Sequence, residues 1–461
     1  MKRPPHRALA RTLLCTSLAL AAVAWAADPA RLGTDLTPAG AERAASQDGA
    51  IPAWPGNEAI QSGWAPGKFR GDHFKYRTDK PLLTIDASNA DQHADKLSPG
   101  QLAMLKQTKG YRMDVYPTRR TCGVPDFVAD NTRKNVDTAK LGADGWSLKE
   151  ALVPGYPFPL PENGVQAMWN AKMRYRGVGL EYKNVVTAVS PRKGGTEWIR
   201  AGQEFTAFMP WGAKGSTPLS KLPPVEYYAY FAYNSPTALA GQALAITYFL
   251  DQPGSEVFYY FPGQRRVRRM PSYAYDSPQI GMENQYLLDE PYVFNGTLDR
   301  FDWKLVGKKT LYVPYNNFGV YRFDAKFDDI AKPDFVDPAA RRYEQHRVWV
   351  VEATVKAGAR HTAPKRTFYL DEDGWNLLLA DDYDAQGKLA KVREGFLIPV
   401  YETGSCDVSA FAQYNLNEGR YVFDMHAAGT GSDVRWMAEA QGPRYRPGFY
   451  TSDNLRAISD R

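Results

Sequence analysis

Cysteine is scarce in this sequence, with three in 461 residues, and histidine is little commoner at six. No His-Glu-x-x-His pair is present and no histidine lies near a cysteine pair at zinc spacing, so the usual zinc-ligand patterns are missing. A Gly-x-Ser-x-Gly elbow and a phosphate loop ending in Gly-Lys-Ser or Gly-Lys-Thr are also missing. No catalytic residue, metal or cofactor is therefore expected. Long apolar runs are lacking too: after Leu13–Val23 nothing approaches the roughly 20 apolar residues that a membrane-spanning helix requires.

That first run follows Lys2, Arg3, Arg7 and Arg11 and precedes Ala24-Trp25-Ala26, which predicts a Sec-type secretory signal over residues 1–26. Cys15 sits near the start of the run, without the small residues before it that lipidation needs, so a lipoprotein is not expected. The protein is expected in the periplasm, peripheral to membranes. Removing the signal lowers the formal charge from +6 to +2. Excess positive charge, the general basis of nucleic-acid affinity, is then lacking, and no nucleic-acid partner is expected. Cys122 and Cys406 remain, either as one disulfide closing a very long loop or as two unpaired thiols.

Residues 27–182 are rich in Pro, Gly and polar residues and read as an extension with short helices packing on a sheet. Ser98-Pro99 predicts a capped helix start, and Val165, Met168, Trp169 and Met173 recur at helical spacing after Asn163. From 183 to 430 the pattern changes. "VEYYAYFAY", "GQALAITYFL", "SEVFYYF", "KKTLYVPYN", "HRVWVVEATV", "KRTFYLDED" and "GRYVFDMHA" are short aromatic and β-branched runs separated by Gly, Pro, Asp and Asn turns. No helix-length crossovers separate most neighbours, so the sheet is expected to be antiparallel. "VEYYAYFAY" and "SEVFYYF" are aromatic on both faces, which predicts burial on both sides or one face lining a cavity. Residues 431–461 read as a C-terminal tail.

Two groups of charged residues can carry chemistry. Asp371, Asp373, Asp381, Asp382 and Asp384 offer carboxylates, but at hairpin tips Asp and Gly are ordinary turn residues, and the twelve-residue calcium loop is absent. Arg265, Arg266, Arg268 and Arg269 follow a Pro-Gly turn and put guanidinium groups on both faces of a strand. Unpaired buried charge is costly, so this strand belongs at an edge or rim. There it either stays solvated and paired with nearby acids or grips an anionic head group or a partner surface.

"LGTDLTPAGAERAASQDGAIPAWPG", "DKLSPGQLAMLKQ", "YRMDVYPTRRT", "FPGQRRVRRMPSYAYDSP", "DWKLVGKKTLYVPYNNF", "RVWVVEAT" and "RTFYLDEDGWNLLLADDYDAQGKL" together resemble the bacterial family of exported proteins known as DUF1329. The resemblance covers nearly the whole chain after the signal. The family is similar to enlarged LolA/LolB-type lipoprotein carriers, which implies a mainly β (α+β) fold: a large curved, incompletely closed antiparallel β-barrel with covering helices. It also implies an outer-membrane partner protein and an RND-type exporter. It supplies no catalytic residues.

The expected function is thus a periplasmic carrier or binding protein for a lipid or other amphiphile. Tyr228, Tyr230, Phe231, Tyr248, Phe249, Phe258, Tyr260 and Trp349 are the candidate cavity wall, and the four arginines are the candidate rim. The alternatives are a non-catalytic adaptor whose barrel is filled by its own side chains and an envelope hydrolase using the acidic hairpins.

Overall fold

Short strands joined by tight turns pair with their chain neighbours, and here they do so twice in succession. The computed structural model describes residues 28–60, 63–270 and 276–460, and the signal expected over 1–26 lies outside them. The first meander comprises β3 (Gly179–Val189), β4 (Ile199–Phe208), β5 (Val225–Ser235), β6 (Ala243–Phe249), β7 (Ser255–Phe261) and β8 (Arg266–Met270). It follows the short strands β1 (Leu83–Ile85) and β2 (Met113–Tyr116). The second comprises β9 (Phe301–Pro314), β10 (Tyr343–Val355), β11 (Lys365–Asp371), β12 (Leu377–Tyr383), β13 (Leu389–Val400), β14 (Ser405–Asn415) and β15 (Arg420–His426).

The last strand of the second meander pairs with the first of the other, β15 on β3, through Val422↔Val189 and Phe423↔Ala188. The result is one large curved sheet in the order β9–β10–β11–β12–β13–β14–β15–β3–β4–β5–β6–β7–β8, with β2 joining β10 and β16 (Arg435–Met437) joining β3. It does not close, because β8 and β9 do not pair with each other. The fold is mainly β with a few helices. The sheet's first long strand begins at Gly179, slightly ahead of the boundary read at 183, and the N-terminal extension adds β1 and β2 to the same sheet.

The helices are α1 (Pro99–Gln107), α2 (Asp126–Thr138), α3 (Gly164–Lys172), α4 (Phe327–Ile330) and α5 (Ser452–Ser459). Among the described residues none is long and apolar enough to cross a membrane. Ser98 caps α1 reciprocally with Gln101, its hydroxyl accepting from the Gln101 amide at 3.1 Å and its own amide donating to Gln101 Oε1 at 3.0 Å. α3 links the two meanders. Its first residue, Gly164, packs so closely on β9 that a Cβ would sit 2.7 Å from the Trp303 carbonyl carbon, and its last, Lys172, pairs with Glu226 of β5 at 2.8 Å.

The segment 276–300 runs inside the curve. Asp289 meets Arg366 of β11, Glu290 meets Lys391 of β13 and Gln413 of β14, Tyr286 meets Asp424 of β15, and Asn295 meets Tyr227 of β5. Against the second meander aromatic side chains occupy this interior: Phe294 packs on Trp303 and Phe368, with Trp169 of α3 buried in the same cluster.

One buried group in β15 makes a pH prediction. His426 stacks on Phe423 with ring centroids 4.1 Å apart and lies against Phe327, and neither ring nitrogen has a hydrogen-bond partner among the described residues. Burial, with the Arg200 charge adding to it, pushes the imidazole down to about 3. A histidine whose folded pKa is depressed favours the native state above its unfolded pKa, and that contribution is lost as pH falls from about 6.5 toward 3, by up to roughly 4–5 kcal/mol. Asp381 and Asp433, both pushed up to about 6 by burial, act in the opposite sense over part of this window. The His426→Phe variant is therefore compared with wild type at each pH. Chemical denaturation should show the variant gaining on wild type as pH falls; parallel curves between pH 6.5 and 4 would contradict the assignment.

Candidate ligand chamber

Between the first meander and the inner segment the packing leaves space. Strands β5, β6 and β7 alternate, and one set of side chains faces the inner segment: Tyr227, Phe231 and Tyr233 from β5, Leu244, Ile246 and Tyr248 from β6, and Ser255, Val257 and Tyr259 from β7. The register explains why they share a face, since Leu244 lies opposite both Phe231 and Tyr259, and Ile246 opposite Val257.

Two joined compartments lie between these strands and residues 278–297, each with about 100 Å³ of free space. The outer one is closed by Gln279, Leu288, Asp289, Asn295 and Thr297 and reaches the surface at Pro278 and Ile280, the latter 55% exposed. The inner one is bounded by Thr187, Gln203, Phe205, Met282, Tyr286, Tyr292 and Asp424. Tyr233, Leu244, Ile246, Tyr248, Gln279, Leu288 and Asn295 border both. Tyr227 stacks on Tyr248 at 4.3 Å and donates to Asn295 Oδ1 at 2.6 Å, tying the sheet to the inner segment at the boundary.

The floor of the outer compartment is an ion network. Arg366 donates to both Asp289 oxygens at 2.6 and 3.2 Å, and the His361 ring lies 3.0 Å from Asp289 Oδ2. Behind them Asp382 pairs with Arg393 and lies 3.6 Å from Arg366 Nε. Burial alone would raise the Asp289 carboxyl, but the Arg366 charge and the His361 hydrogen bond hold it far below the usual carboxylate range. The inner compartment is different. Burial pushes the Asp424 carboxyl up even though Thr187, Tyr286 and the Met425 amide donate to it.

The residues read from the sequence fall in three places. Phe231 and Tyr248 line the chamber. Tyr228, Tyr230, Phe249, Phe258 and Tyr260 lie on the opposite face, under the C-terminal tail: Tyr228 stacks on Tyr450 at 4.8 Å, Tyr230 meets Phe449 edge-on, and the Tyr260 hydroxyl donates to Asp460 at 2.7 Å. Trp349 is in β10, stacked on Trp375 at 5.8 Å with Lys308 over its ring. The aromatic parity of β5 and β7 therefore serves two surfaces, one facing the chamber and one facing the tail. Leu244, Ile246 and Tyr233 were missed because an aliphatic or lone aromatic residue in an apolar strand carries no mark of which face it takes. The wall formed by residues 278–297 was missed because it lacks any periodicity.

The arginines divide likewise. β8 is an edge strand, and Tyr259↔Arg268 and Phe261↔Arg266 pairing puts Arg266 and Arg268 on the chamber face of the sheet, one strand beyond its wall. Arg268 donates to Gln264 at 2.6 Å. Arg269, opposite Phe258, stands on the other face and pairs with Glu256 at 2.9 Å, while Arg265 lies 3.5 Å from Asp460. All four are exposed.

The acidic hairpins do not open on the chamber or on a common cleft. Asp384 accepts from the Gln386 and Lys388 amides in its turn, Asp381 accepts from Ser98 and Tyr369, and Asp382 belongs to the ion network. His346, Asp371 and Asp373 bring ligating atoms within 4.8 Å of one another, and the Arg120 guanidinium, 2.6 Å from Asp373, supplies positive charge there. Cys122 and Cys406 are bonded, with Cα atoms 5.4 Å apart.

Residues 84–456 match the family described as protein of unknown function (DUF1329). The uncharacterized protein PA3922 of Pseudomonas aeruginosa is 38% identical over 418 residues, which are 90% of each chain. Among solved structures, a DUF1329 family protein from Desulfovibrio piger superposes with a TM-score of 0.38 at 13% identity, over 59% of this chain and 91% of that one. A LolA superfamily protein from Nitrosomonas europaea does so with a TM-score of 0.35 at 11% identity, over 64% of this chain and 99% of that one.

Proposed function

The chain belongs to the DUF1329 family, and from the chamber inside its sheet we propose that it is a periplasmic binding or carrier protein for a lipid or similar amphiphile. The observation that carries this reading is the chamber itself: an apolar and aromatic space between β5–β7 and the inner segment that reaches the surface at Pro278 and Ile280, in a sheet whose edge strand carries two exposed arginines on the same face. Each methylene taken from water contributes about 0.8 kcal/mol, so roughly eight supply about 6 kcal/mol. Arg266 and Arg268 suit an anionic head at the rim. The signal read over residues 1–26 supports a periplasmic site of action, with the exporter and outer-membrane partner implied by the family as donor and acceptor.

A second reading, an adaptor that carries no ligand, is favoured by one observation: the interior of the second meander is filled by Phe294, Trp303, Phe368 and Trp169. Native mass spectrometry of the protein purified from its own periplasm, with lipid extraction of any excess mass, separates the two. A carrier shows a stoichiometric adduct that Ile246→Asn, checked for unchanged circular dichroism, lowers at least tenfold. A clean apo mass together with no uptake of a fluorescent fatty acid leaves the adaptor.

A further inference from the structure

A buried carboxyl without an ion-pair partner ends β11. Asp371 is fully buried, and among the described residues no lysine, arginine or histidine pairs with it. Its Oδ2 receives the Tyr315 hydroxyl at 3.4 Å, and its Oδ1 has no hydrogen-bond partner among the described residues. Buried charges are paired or bound to a metal ion, and a carboxyl with neither has to keep its proton.

The fold brings two further ligating groups to it. Asp371 lies opposite Val348 in the register of β10 and β11, so His346, two residues earlier on β10, shares its face of the sheet. The turn after β11 adds Asp373, and ligating atoms of the three residues lie within 4.8 Å of one another. His346 is 2% exposed and Asp373 4%. Glu344 Oε2 lies 3.0 Å from His346 Nε2, and Glu344 itself accepts from the Arg119 amide, Asn316 and Arg342. A carboxylate so held takes the Nε2 proton and leaves the lone pair on Nδ1, the arrangement that commonly orients a metal-bound histidine. Tyr315 stacks on the imidazole with ring centroids 3.7 Å apart.

Arg120 is engaged elsewhere in the group. It donates to both Asp373 oxygens, at 2.9 and 2.6 Å, and otherwise to the carbonyls of Glu42, Arg43 and Pro52. Each carboxylate oxygen keeps a second lone pair, so Asp373 can still ligate. With Arg120 set against Asp373 and Arg342 against Glu344, Asp371 is the charge left over. A cation there needs no water-sized cavity, because donors about 2.0–2.2 Å from a zinc ion enclose it directly, and these would close on it by about 1 Å.

We infer that His346, Asp371 and Asp373 form a site for a divalent cation of the zinc class, fastening the turn between β11 and β12 to β10. One imidazole beside two carboxylates suits such an ion better than calcium, which takes oxygen ligands. Three protein ligands leave a position for water, so the ion is exchangeable. The inference is independent of what the chamber holds.

The untagged full chain, stripped with a chelator, is titrated calorimetrically with zinc alone and with calcium alone at pH 7.5. One zinc per chain should bind, at least tenfold tighter than calcium, and raise the melting temperature. Asp371→Asn and His346→Gln, each checked for unchanged circular dichroism, should weaken zinc binding at least tenfold. X-ray absorption at the zinc edge of the wild-type protein should show one imidazole with oxygen ligands and no sulfur. Failure to bind one zinc, calcium held as tightly as zinc, binding indifferent to both substitutions, or two or more imidazoles around the ion overturns the inference and leaves Asp371 a protonated carboxyl. The wild-type titration and absorption spectrum decide even where the variants do not fold.

Discussion

Substitution of both Cys122 and Cys406 by alanine is expected to lower the unfolding free energy by roughly 5 kcal/mol. The bond joins residues 284 positions apart, so in the chain-entropy account its loss releases a very large loop in the unfolded ensemble. Its surroundings offer little to replace it. Leu311, Val313, Tyr315, Val348, Leu378, Leu397 and Val408 are already packed around the pair, and the new side chains are smaller than the sulfurs they replace. The bond also fastens the N-terminal extension to the start of β14. Urea unfolding monitored by tryptophan fluorescence would show a lower midpoint, and wild type with dithiothreitol should move in the same direction. A change below about 1 kcal/mol would mean that the extension is held by its other contacts, such as the buried pair of Arg120 with Asp373.

Arg366→Met is expected to cost about 3–5 kcal/mol, because among the described residues it leaves buried Asp289 with only the His361 ring as an ion-pair partner. The double variant Arg366→Met/Asp289→Leu should recover much of that loss, since removing both charges removes the desolvation penalty as well as the attraction. The network also holds the inner segment against β11, so Arg366→Met should loosen the outer compartment and weaken ligand retention together with stability. A double-mutant cycle with coupling under 0.5 kcal/mol would show that Asp289 and Arg366 do not act as a pair.

How much was legible beforehand can be seen by comparing β8 with β5. Guanidinium groups on both faces of "GQRRVRRM" left an edge position as the physical solution, and β8 is an edge strand. Aromatics on both faces of "VEYYAYFAY" left the inward face open, because a period of two defines two sets without saying which is inside. Tyr227, Phe231 and Tyr233 turned inward because the 276–300 segment lies on that side, while Tyr228 and Tyr230 met the tail. Neither covering segment has an amphipathic signature that pairs it with a particular strand.

Local chemistry in the chain by itself determined the alternating strands, their Gly- and Asp-bearing turns, the Ser98 cap of α1, the antiparallel order within each meander and the exposure of the arginines. Each depends on residues within a few positions of one another, where propensity and periodicity act. Tertiary structure alone decided the joining of β15 to β3, the Cys122–Cys406 bond, the filling of one half of the sheet and the chamber left in the other. These depend on groups brought together across tens to hundreds of residues, and their outcome is set by which surfaces remain to be buried once the strands have formed.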